Sequence, residues 1–123
     1  MKKEIAEQVY ERDNGRCIVT GYDIYNPTSS NFAHVLPKGK NKFYHFAENV
    51  SNIVLVHYNI HHIYDHGTIE QIWNGIQSGQ DWFCLIKKYN ELYEEYSELY
   101  PNHGVGFKDY YQMINDYDEK CKG

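Results

Sequence analysis

Six of the seven histidines of this 123-residue chain lie between Phe32 and Gly67. His34 sits in NFAHVLP, where Phe32, His34 and Leu36 alternate with Ala33 and Val35 in the two-residue period of a β-strand. His61 and Asp65 are four residues apart in NIHHIYDHG, so on a helix they share one face, one turn apart. Between strand and helix stand Asn52 and three lysines, Lys38, Lys40 and Lys42. A histidine on a rigid strand, facing a helix that carries metal-binding side chains, offers a proton acceptor and a bound cation. Phosphodiester hydrolysis requires both, together with groups that hold the phosphate.

The elements that must position these residues follow from the local pattern. Pro37 and Gly39 break the strand, and Ile53, Val54, Leu55 and Val56 form an apolar run after Asn52. From His57 the period turns helical, with Ile60 and Tyr64 as an apolar stripe beside His61 and Asp65, and Gly67 as the stop. Upstream, Lys3 to Arg12 predicts a helix with Ile5, Ala6, Val9 and Tyr10 inward, ended by Asn14-Gly15. Arg16 to Val19 predicts a short strand, Thr20-Gly21 a turn, and Tyr22 to Ser30 a loop. Downstream, Thr68 caps a helix carrying Ile69, Ile72, Trp73 and Ile76, ended by Ser78-Gly79. Gln80 or Asp81 opens a longer helix striped by Leu85, Tyr89, Leu92, Tyr96 and Leu99, which Pro101 stops. A last helix is expected over Phe107 to Tyr117, with Tyr110, Tyr111 and Ile114 inward.

Length fits one domain spanning residues 1–123. No apolar run reaches membrane-spanning length, and the charged start MKKEIAEQVYERD is unlike a secretory signal, so a cytoplasmic protein is expected. Cys17, Cys84 and Cys121 are odd in number and far apart, which fits reduced thiols better than a disulfide framework. The formal net charge is −5, unusual for a nucleic-acid binder. Acids and bases balance over residues 1–89, whereas residues 90–123 hold eight acids and three bases. Overall acidity therefore leaves room for a locally basic face in the first part of the chain.

Taken together, AHVLP, ENVSNIVLV, NIHHIYDHG and the upstream ERDNGRCIVTG resemble the HNH endonuclease family over about residues 8–69. The resemblance implies an α+β fold: a small ββα-metal core, preceded by an N-terminal helix and followed by a helical extension at 70–123. It implies metal-dependent hydrolysis of DNA. His34 matches the family's general base, Asn52 its middle asparagine, and His61 its helix metal ligand. Asp65 stands where many members place a further ligand, and Asn52 either orients His34 or completes the metal shell. The expected ion is one Mg²⁺ or Mn²⁺, with Ni²⁺ or Zn²⁺ as in-vitro substitutes. Lys38, Lys40, Lys42 and Arg16 are candidate contacts to the DNA backbone, the alternative being a solvated loop. His66 is an alternative ligand, while His45 and His57 are expected to be structural or surface residues.

Two departures from the pattern bear on activity. Many members carry a metal ligand just before the base, where this chain has Ala33. Many also hold a structural zinc; the matching positions here are Cys17, Thr20, His57 and Ile60, of which only two can bind zinc, so no structural zinc is expected. Small domains of this kind often occur in phage and mobile elements. The alternative to a nuclease is a catalytically weakened module that binds nucleic acid or a protein partner, as an inhibitor or regulator. The acidic, tyrosine-rich tail is expected to face away from DNA, with part of its stripe pairing two copies into a homodimer.

Overall fold

The computed structural model describes residues 1–39 and 42–123. Helix α1 (Lys3–Arg12) forms where expected, with Ile5 and Val9 buried on one face. It ends because Asn14 and Gly15 take positive φ, 57° and 65°. A Cβ at Gly15 would meet the Tyr10 hydroxyl at 2.8 Å, in addition to the strain of the positive φ. The expected strand at Arg16–Val19 is reduced to one bridge, Arg16 with Asp23, because residues 18–20 turn back at once. In that turn Thr20 N–H donates to the buried Cys17 Sγ at 3.4 Å.

Strands β1 (Phe32–His34) and β2 (Ile53–Leu55) pair antiparallel, with Phe32 opposite Leu55 and His34 opposite Ile53. The outer edge of β2 is not left bare. Asp13 accepts the Leu55 N–H at 2.9 Å, while Arg12 donates to the carbonyls of Ile53 at 2.6 Å and Val50 at 2.8 Å. Ile18 N–H donates to Leu55 O at 3.0 Å. The Arg-Asp pair at the end of α1 thus satisfies the backbone groups that an edge strand would expose.

Helix α2 (Tyr58–His66) follows β2 directly, burying Ile60 and Tyr64. It stops at Gly67, where a Cβ would lie 2.6 Å from Ile63 O, too close for any side chain. Helix α3 (Ile69–Gln77) starts on a Thr68–Gln71 capping box. Helix α4 (Trp82–Leu99) starts on Asp81, whose carboxylate accepts the Cys84 N–H. Helix α5 (Tyr110–Lys122) begins later than the pattern predicts, because the Asp109 side chain caps it by accepting from Gln112 N, and it runs on past Tyr117 to Lys122. Tyr111, expected inward, is 44% exposed and stacks on Phe83.

The described residues therefore make a mixed α+β fold: five helices and a two-stranded antiparallel sheet. No helix among them is long and apolar enough to cross a membrane. Trp82, Leu85 and Ile86 of α4 are fully buried in one core with the sheet residues Ile53, Val54 and Leu55. The stripe, expected in part to pack against a second copy, is covered within the chain at four of its five residues. Tyr96 takes Phe43 and Phe46 edge-on at 5.1 and 4.9 Å, and of the five stripe residues only Leu99 is exposed.

Candidate active site

β1 and α2 bring His34, His61 and Asp65 to one cleft of about 550 Å³, which Lys38 and Lys42 also line. His34 ends β1 and is half-buried; its Nε2–H donates to the Ala47 carbonyl at 2.8 Å. A carbonyl only accepts, so this bond leaves Nδ1 as the basic nitrogen of a neutral ring. Burial pushes the His34 pKa below the ordinary histidine value. The Ala47 carbonyl and Asp65 oppose that shift, while Lys38 and His61 add to it.

His61 is anchored from the other side. Its Nδ1–H donates to Ser30 O at 2.6 Å, and its Nε2 lies 3.0 Å from Asp65 Oδ2. The anchored Nδ1 fixes the tautomer and aims Nε2 at the carboxylate. The bond to Asp65 raises the His61 pKa, against its partial burial. The pair is thus set to share a cation, either a proton or a metal ion. A nitrogen and a carboxylate oxygen converging in this way fit one edge of a divalent-metal site whose other positions are water, as Mg²⁺ and Mn²⁺ tolerate. Among the described residues no group of three or more His, Cys, Asp or Glu side chains could hold a metal.

Asn52 is close to this machinery without facing it. It is fully buried; Oδ1 accepts the Leu36 N–H at 2.7 Å, and Nδ2 donates to Leu36 O and Phe46 O, each at 3.2 Å. These bonds tie the chain after β1 to the turn at Tyr44–Phe46, next to the carbonyl that holds His34. Asn52, expected either to orient His34 or to complete a metal shell, thus has its polar atoms bonded to backbone and turned away from the cleft. Ala33 is likewise fully buried, paired with Val54, and does not line the cleft, so a carboxylate at that position would enter the core.

Arg16 is not brought to the site; it pairs with Asp23 at 3.2 Å and does not line the cleft. Lys40 lies outside the described residues. His66 lines the cleft as well. Part of the tail, the segment between α4 and α5 with the first residue of α5, reaches this cleft. Val105, Gly106, Lys108 and Tyr110 form part of the cleft wall. Tyrosine hydroxyls fasten this segment: Tyr93 donates to Val105 O, and Tyr89 accepts the Lys108 N–H at 2.9 Å. Lys108 Nζ stands 4.8 Å from the Tyr110 ring centre. Its sequence signal is its isolation, as the only base between Lys88 and Lys120.

Among the described lining residues, three lysines face a single carboxylate, Asp65, although the chain as a whole is acidic. Burial raises the Tyr64 pKa well above the ordinary tyrosine value and that of Tyr110 to about 12, so both hydroxyls stay protonated. The Tyr64 hydroxyl donates to Val35 O, locking α2 to the end of β1. Comparison of the chain with protein families, with curated proteins and with solved structures found no match.

Proposed function

We propose that the protein is a metal-dependent endonuclease of the HNH type, which hydrolyses DNA phosphodiester bonds in this cleft. In this reading β1, β2 and α2 are its ββα-metal core. One observation carries it: a strand histidine, His34, shares one cleft lined by lysines with a helix-borne His61–Asp65 pair. His34 accepts a proton from the attacking water at Nδ1, and the Ala47 carbonyl steadies the imidazolium that results. Lys38, Lys42 and Lys108 hold the phosphate by charge. His61 and Asp65 are the residues that would hold the divalent ion. When bound, the ion supplies charge stabilisation to the phosphate and the leaving oxygen.

A plasmid-nicking assay with Mn²⁺ or Mg²⁺, and with chelator as control, tests the proposal. Metal-dependent nicking of the plasmid, or cleavage of a single-stranded DNA circle assayed beside it, is the expected result; the absence of both with every divalent ion sinks the enzyme reading. The two-ligand donor set favours a second reading, a catalytically weakened module that binds nucleic acid or a protein partner. Calorimetry separates the two, because that module predicts no divalent-metal binding at millimolar metal.

A further inference from the structure

We propose that the cleft continues onto an aromatic platform, and that the two together take an unpaired DNA strand. This inference rests on the nuclease reading above and names the form of its substrate. Lys42 lines the cleft and also a second recess beside it, formed with Tyr44, His45, Tyr100 and His103. Lys38 is shared in the same way with a recess against Tyr44 and His45. The cationic site and the aromatic surface are therefore continuous.

Tyr44, His45 and Tyr100 form a stack of rings. Tyr44 lies 3.9 Å from His45 at 35°, and His45 lies 4.0 Å from Tyr100 at 6°. The foot of the stack is fixed, because Tyr100 packs 4.7 Å from Tyr96, which is 1% exposed. Its outer end is open, with Tyr44 63% exposed. An open ring on a rigid stack, next to lysines that can hold phosphate, matches the way proteins take single strands: bases stack on the ring while cations follow the backbone. In a duplex each base face is already covered by its neighbours, so the platform is of use only to an unpaired strand.

The charges agree. The recess around Lys42 has no Asp or Glu among its described lining residues, and the cleft has only Asp65. Glu48, in the recess that shares Lys38, is ion-paired to Lys2 at 3.7 Å.

Fluorescence anisotropy on the full chain, with chelator present so that nothing is cut, tests the inference. The probes are a short oligothymidylate and a mixed-sequence duplex of equal length. The single strand is expected to bind at least about tenfold tighter, and Tyr44→Ala, at an exposed position, to weaken it by about fivefold or more with little effect on the duplex. Lys42→Ala and Lys108→Ala should each make the salt dependence of single-strand binding shallower, by about 0.7 in the log–log slope. Equal or tighter duplex binding, or an unchanged affinity in Tyr44→Ala, overturns the inference. Plasmid nicking without a single-strand preference overturns it while leaving the nuclease reading intact. Single-strand binding through Tyr44 without cleavage by any divalent metal keeps the platform and sinks the nuclease reading.

Discussion

At the residue scale, two histidines in one cleft are tuned in opposite directions. Burial lowers the His34 pKa, and the bond to Asp65 raises that of His61. A base must be neutral to act, so cleavage should persist below pH ~6.5, with its acid limb set by His34. Stability follows with signs that differ. The His34 contribution is fully present above the unfolded value of about 6.5 and is lost as pH falls through that value towards the folded pKa. The His61 contribution is fully present below about 6.5 and is lost as pH rises through its folded pKa. Urea denaturation across this range checks both: His34→Gln should flatten the acid-side loss and His61→Gln the alkaline-side loss. An unchanged pH dependence in either variant contradicts the assigned environment. These residues were legible in the sequence because their signals are local: a period of two around His34, and an i, i+4 pair at His61 and Asp65.

At the element scale, the site depends on how the chain from Val35 to Asn52 returns from β1 to β2. Asn52 fastens that return through three bonds to backbone. Asn52→Ala would leave the Leu36 N–H and Leu36 O unpaired in the core, at about 1–3 kcal/mol for each group left without a partner, while Phe46 O keeps the Asn49 N–H at 3.1 Å. A destabilisation of ~2 kcal/mol or more is expected from chemical denaturation. A loss below ~1 kcal/mol would remove Asn52 from its positioning role. Sequence spacing marked Asn52 out but gave no way to choose between ligand and positioning residue, since its partners are up to sixteen residues away. Helix ends show the same limit. Thr68 was readable as a cap in advance, and the structure adds Gln71, three residues on, as its partner in a capping box. The start of α5 was missed because the Asp109 cap competes with an apolar pattern that begins at Phe107. Lys108 was missed for a related reason: a loop held by Tyr89 and Tyr93 brings it to the cleft, and neither tyrosine is its neighbour in sequence.

At the scale of the whole molecule, the extension is part of the core rather than an appendage. Trp82, Leu85 and Ile86 are fully buried in one core with the sheet residues, and each such side chain gains roughly 1.5–3 kcal/mol by leaving water. Truncation after Gly79 should therefore give an insoluble or molten product, visible as lost near-ultraviolet circular dichroism and slow precipitation. A folded, active fragment 1–79 would contradict this packing. Because the acids of α4 and α5 sit on the same body as the cationic cleft, charge reversal at Glu94, Glu95 and Glu98, which do not line the cleft, should leave cleavage intact or raise DNA affinity slightly. The proposed nuclease activity is tested most directly by plasmid nicking at saturating Mn²⁺ with wild type and His34→Ala, metal affinity being followed in parallel by calorimetry. The expected result is a loss of cleavage of about a hundredfold or more with metal binding preserved, since His34 supplies the base and not the metal site. Equal cleavage by the two proteins would remove His34 from the chemistry and contradict the proposal.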